Sequence, residues 1–129
     1  MIKSEIVKTS VADVWINDDG ILYVKIFDGA EINDDDAREL FDVYEKLGCR
    51  KNKVLQILDA RVDCTITPEG RQVSLKYSKD FLIASAVISS SLAIKLIVNF
   101  FNNFLKYDVP LKIFSTEEEG LKWLSGFRK

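Results

Sequence analysis

The chain has 129 residues, enough for one domain that buries about two-thirds of the surface its unfolded form exposes. A hydrophobic fraction of 47% with 29% charged residues excludes a disordered or low-complexity chain, and a net charge of -2 supplies no basic surplus to hold nucleic acid or an anionic membrane. The two cysteines, Cys49 and Cys64, have neither CxxC spacing nor a histidine partner, which argues against a zinc site or a disulfide scaffold and fits a reducing cytoplasm.

The opening "MIKSEIVKTS" carries Lys3, Glu5 and Lys8 before any apolar run, so no secretory signal is expected. Residues 4–9 and 12–17 are short β-rich stretches, "NDDG" at 17–20 is a turn, and "ILYVKI" at 21–26 alternates as a third strand, giving an antiparallel meander. From Asn33 the period changes. Ala37, Leu40, Phe41, Tyr44 and Leu47 recur at helical spacing, with Asn33 as N-cap and Gly48 as the stop.

"KVLQILDA" at 53–60 then reads as an apolar strand, followed by a helix from Pro68 to about Tyr77. "FLIASAVI" at 81–88 is apolar at nearly every position, as a strand covered on both faces requires. A helix over 91–106, a strand "VPLKIF" at 109–114 and a last helix from Glu117 to Phe127, opened by a Thr116/Glu119 capping box, complete the order βββαβαβαβα. This predicts an α/β fold, one domain over residues 1–129, with a single mixed, largely parallel sheet and flanking helices. Residues 81–105 are long enough to span a bilayer. However, Ser89, Ser90, Ser91, Lys95 and Asn99 would then lie at mid-membrane, where a lysine costs about 3 kcal/mol, so no integral membrane segment is expected.

In such a sheet, ligands bind where the strands' carboxyl ends meet the helix N-termini. That rim is predicted to hold Asp28, Asn33, Asp59, Arg61, Asp63, Thr65, Thr67, Ser89, Ser90, Ser91, Ser115 and Thr116. It is acidic, with Asp34–Asp36, Asp59, Asp63, Glu69 and Glu117–Glu119 outnumbering Arg61 and Arg71, so a phosphate-rich ligand would be repelled. Acids in first helical turns compensate helix dipoles, and consecutive helical residues point apart, so no metal site is read from Asp34–Asp36.

Enzyme signatures are absent. A chain without histidine cannot assemble a Ser-His-Asp or Cys-His arrangement, and its six glycines form no phosphate loop. Six residues, rather than the five of a tyrosine phosphatase loop, separate Cys64 from Arg71, and Pro68 removes an N–H from the cradle. The expectation is a protein that is not an enzyme and has no cofactor; Asp59, Arg61 and Cys64 are the residues to mutate if a turnover is found.

The motifs "GILYVKIFDGAEINDDDA", "LQILDARVDCTITPEGR", "AVISSSLAIKLIVNFF" and "PLKIFSTEEEGLKWL", in this order over about residues 13–125, resemble the SpoIIAA-like branch of the STAS superfamily, a bacterial cytoplasmic group related to anti-sigma-factor antagonists. The resemblance implies an α/β sandwich, also described as similar to the lipid-binding CRAL-TRIO fold, and a regulatory role through protein partners. Anti-sigma antagonists carry an Asp-Ser-Ser-Gly switch after the strand matching 53–60. Here "DCTITPEG" stands in that place, with Thr65 and Thr67 as its hydroxyls. Thr67, followed by Pro68 and Glu69, is an N-cap contributing about 1 kcal/mol. The segment therefore reads as a strand-to-helix connection at a ligand-capable edge.

Helix 91–106 is the most unusual element. Lys95, Asn99, Asn102, Asn103 and Lys106 form one narrow polar stripe, and the apolar remainder, including Leu96, Phe100, Phe101 and Phe104, exceeds the roughly 100° that a surface helix needs. Neighbouring helices, a homodimer seam or an apolar-ligand cavity would cover it. Two functions follow: a non-enzymatic regulatory or protein-interaction module, homodimeric and capturing a partner at 61–67, or a carrier or sensor of a lipid or other apolar small molecule.

Overall fold

The computed structural model describes residues 4–103 and 107–128. Three strands, β1 (Val7–Lys8), β2 (Ala12–Ile16) and β3 (Leu22–Ile26), form the antiparallel meander, with Val14 opposite both Val7 and Val24. Its turn is set by Asn17, whose Oδ1 accepts from the Asp19 and Ile21 N–H groups, and by Gly20 at φ 78°. The chain continues as β4 (Ala30–Ile32), α1 (Asp34–Lys46), β5 (Val54–Asp59), β6 (Cys64–Ile66), α2 (Pro68–Tyr77), a 3-10 turn at Ser78–Asp80, β7 (Leu82–Ile88), α3 (Leu92–Asn103), β8 (Leu111–Phe114) and α4 (Glu117–Ser125).

The main sheet has six strands in the order β1-β2-β3-β5-β7-β8, parallel from β3 onward. Each parallel step moves one place in the same direction, so right-handed crossovers put the intervening helices on one face. Strand alternation then sorts the core. Gln56, Leu58, Ser85 and Val87 look toward α1 and α3, whereas Leu55, Ile57, Ala84, Ala86 and Ile88 look toward α4. Residues 81–105 are not one rod: β7 and α3 are separate elements joined at Ser89–Ser91.

The capping predicted from sequence is present. Asn33 and Asp36 form a reciprocal box at α1, Thr116 and Glu119 one at α4, and Thr67 Oγ1 accepts from Gly70 N–H at 3.0 Å. All four helices start after the carboxyl end of a strand, which collects their N-termini along one rim.

Two short strands were not legible. β4 and β6 pair in parallel as a second, two-stranded sheet, Ala30 opposite Cys64 and Ile32 opposite Ile66. The segment 59–67 is thus more than a connection. Gly29 N–H donates to Asp63 C=O at 2.6 Å, Asp63 N–H to Asp28 Oδ1 at 3.1 Å, and Thr67 N–H to Ile32 C=O at 2.9 Å. Gly70 fixes α2 against this ribbon, since a Cβ there would lie 2.6 Å from Ile32 O and 2.9 Å from Ile66 Cγ1. Gly70→Ala is expected to lower stability by about 1–3 kcal/mol in urea denaturation, despite the roughly 1 kcal/mol that alanine gains in a free helix. An unchanged midpoint would mean that the ribbon yields freely.

Candidate functional site: an uncharged cavity behind an acidic rim

At the rim, Asp59 closes β5 and Arg61 folds back on it in a two-pronged pair, Nε to Oδ1 at 3.0 Å and Nη2 to Oδ2 at 2.9 Å. Arg61 Nη2 also lies 3.9 Å from Glu117 Oε1 at the start of α4. The Arg61 hydrogen bond holds the Asp59 carboxyl below its usual range. On the far side of Glu117, Tyr23 Oη donates to Oε2 at 3.2 Å, and burial together with that carboxylate raises the phenol to about 12.

The Asp59 shift has a pH consequence. A depressed carboxylate stabilises the fold above its unfolded value of about 3.9, and that contribution is lost as pH falls through the folded value. Because Arg61 is half-exposed, wild type should exceed Arg61→Ala by only about 0.5–1 kcal/mol at pH 7. The gap should close below about pH 4. Denaturation series at both pH values check this; a gap that widens in acid contradicts it.

The remaining rim residues do different things. Asp63 is exposed, and its backbone joins the Asp28–Gly29 turn. Thr65 is exposed on β6 opposite Glu31, whereas Thr67 is engaged as the α2 cap. Ser89 is buried and accepts from Ser91 N–H at 3.1 Å, Ser91 Oγ accepts weakly from Ile94 N–H at 3.4 Å, and Ser90 is exposed. Ser89 and Ser91 thus start α3. Cys64 is half-buried, and its thiol is pushed up by burial and then by Asp63, Asp28 and Asp59, which makes it a poor nucleophile. Among the described residues no group of three or more His, Cys, Asp or Glu is placed to hold a metal, and no helix is long and apolar enough to cross a membrane.

Behind this rim, between the sheet and α1–α3, lies a cavity of about 140 Å³. Leu58 and Val87 line it from the sheet, Leu40 and Phe41 from α1, Ile94, Ile97, Val98 and Phe101 from α3, and Ile32, Cys64 and Ile66 from the β4–β6 ribbon. Thr65, from the ribbon, and Ser74, from α2, line it as well, and the deepest part of its polar lining on the sheet is a chain of hydrogen bonds. Tyr44 Oη donates to Gln56 Oε1 at 2.6 Å, and Gln56 Nε2 donates to Ser85 Oγ at 2.8 Å. Tyr107 and Ser78 also line the wall. Burial raises the Tyr44 phenol far above its usual value and the Tyr107 phenol to about 12, so both stay neutral. No lining residue among those described is Asp, Glu, Lys or Arg.

The apolar helix splits its predicted residues between two faces. Phe101 is buried, meets Tyr107 in a tilted ring contact at 5.3 Å and lines the cavity. Leu96, at 60%, and Phe100, at 41%, are exposed with Leu92, at 71%, in a stripe four residues apart. That face of α3 is exposed, and α3 docks through Ile94, Ile97, Val98 and Phe101 together with Asn102, whose Nδ2 donates to Leu111 C=O at 2.9 Å. Phe104 lies outside the described residues. The sequence reading missed Tyr44, Gln56 and Ser85 as site residues. A signal was present: Gln56 interrupts the apolar run that Asp59 closes in β5, and Ser85 is the polar residue of an otherwise apolar β7.

Residues 14–128 match the family described as Domain of unknown function (DUF7793). Among solved structures, an uncharacterized protein of the DUF3478 family with a SpoIIAA-like fold, from Shewanella loihica PV-4, is similar with a TM-score of 0.58, over 96% of each chain and at 11% identity. None of the curated proteins matches the sequence. The likeness to the Shewanella protein carries the fold, and the family match spans nearly the whole chain: the protein belongs to the DUF7793 family and has a SpoIIAA-like α/β fold.

Proposed function

We propose that the protein is a non-enzymatic binding module that carries or senses an apolar small molecule. The observation that supports this reading is the cavity of about 140 Å³ between the sheet and α1–α3, close in size to an engineered apolar cavity of about 150 Å³ that admits benzene. It is favoured by α3 turning Phe101 and Val98 inward, where both line this hollow beside the packed cluster of Ala60, Val87 and Ile94. The non-enzymatic part rests on Asp59 being tied to Arg61 and on the raised Cys64 thiol, which leave no poised base or nucleophile there. Native mass spectrometry before and after organic extraction tests the role. A co-purifying apolar compound supports it. A protein that neither carries nor accepts such compounds contradicts it.

A second reading, a cytoplasmic regulatory module that pairs with a partner protein or with its own copy, is favoured by the exposed Leu92, Leu96 and Phe100 stripe. Stripes of this kind commonly mark interaction sites. Thr65, exposed on β6, is the rim hydroxyl better suited to modification, since Thr67 caps α2. Sedimentation of wild type and Leu96→Asp separates the cases: a dimer lost in the variant supports self-pairing, and a wild-type monomer contradicts it.

A further inference from the structure

We infer that the cavity selects a neutral, single-ring-sized molecule bearing one hydrogen-bonding group, and that this group is received by the Gln56–Ser85 pair. The inference rests on the small-molecule reading above and specifies the ligand's chemistry. Three features lead to it. The hollow has room for about one ring, and a long acyl chain would have to leave it. Its described walls contain no charge of either sign, and the acids nearby, Asp28, Asp59 and Asp63, do not line it. A carboxylate or ammonium head drawn inside would lose its hydration without gaining a counter-ion. Finally, the buried wall is not uniformly apolar. Tyr44, Gln56 and Ser85 spend two hydrogen bonds on one another, at 2.6 and 2.8 Å, while an amide and two hydroxyls have capacity for more. Gln56 is 5% exposed and Ser85 1%, so a hydroxyl or amide group of a ligand is the complement that this wall can receive in place of water.

The head group also has a fixed direction. Gln56 and Ser85 sit side by side on the parallel strands β5 and β7, whereas Ile94, Ile97 and Phe101 close the cavity from α3. A bound ring would therefore lie against α3 with its polar atom on the sheet.

The test uses the full chain and four probes of one shape: benzyl alcohol, ethylbenzene, benzoate and benzylammonium, titrated at pH 7 against methyl-labelled protein and read by the shifts of the Leu58, Val87 and Ile94 methyls. Benzyl alcohol should bind at least tenfold more tightly than either ion. Ser85→Ala and Gln56→Leu should each weaken benzyl alcohol about fivefold or more and leave ethylbenzene unchanged or tighter. Benzoate or benzylammonium binding as tightly as the alcohol in the same methyl set would overturn the charge rule while leaving the cavity reading intact. Equal losses of alcohol and ethylbenzene in both variants would overturn the assignment of Gln56 and Ser85. Failure of all four probes to move these methyls would instead remove the small-molecule reading itself.

Discussion

Phe81→Ala is expected to lower the unfolding free energy by about 3–5 kcal/mol, the range for emptying a buried phenylalanine site. Phe81 is 2% exposed at the entry to β7, and its ring meets Phe41 at 5.6 Å and Tyr44 at 6.0 Å, with the Arg50 guanidinium 4.7 Å from its centre. These contacts fasten α1 to the sheet at the end of the molecule away from the rim. A domain of this size has about 5–15 kcal/mol in total, so the variant should lose a large part of its stability. Urea titration followed by Trp15 and Trp123 fluorescence measures it. A loss below about 1 kcal/mol would mean that this ring cluster does not hold α1.

The second large effect concerns the polar wall. Gln56→Leu leaves the Tyr44 hydroxyl without its acceptor and Ser85 without its donor, and should cost about 2 kcal/mol. Replacing the whole chain, as Tyr44→Phe, Gln56→Leu and Ser85→Ala together, removes the stranded groups along with the bond donors. Such replacements are often nearly neutral, so the triple variant should return to within about 1 kcal/mol of wild type. That recovery is what separates a wall kept for recognition from one kept for stability. A triple variant less stable than Gln56→Leu would assign the network to holding β5, β7 and α1 together.

The order of the main elements was legible because each strong periodic segment also carried its own boundary chemistry. Asn33, Thr67 and Thr116 mark three of the four helix starts by side-chain capping, and Gly48, at φ 84°, ends α1. The apolar "FLIASAVI" gave β7 its place between β5 and β8 because only a strand covered on both faces tolerates so few polar residues. β4 and β6 escaped for the opposite reason. Each has three residues, too few for a period of two to be distinguished from chance, and their pairing joins segments more than thirty positions apart.

The rim was readable and the cavity was not, and the difference is physical. Asp59, Arg61, Asp63 and Thr67 follow from a topological rule about strand ends, so chain order suffices to find them. The cavity depends on side-chain volumes across the main sheet, three helices and the β4–β6 ribbon, and no local pattern reports a volume that remains unfilled. For α3 the sequence stated the problem correctly, an apolar surface wider than one contact can use. It could not say which residues went inward. The structure divides them, Phe101 to the hollow and Leu96 with Phe100 to the outside.

The most direct measurement is a crystal of the protein under xenon pressure, because xenon enters apolar hollows of this size and reports them without chemical preference. A xenon peak is expected, enclosed by Leu58, Val87, Val98 and Phe101, with α3 in the same position as in the unpressurised crystal. Phe101 packed directly onto Leu58 and Val87, with no xenon between them, would contradict it.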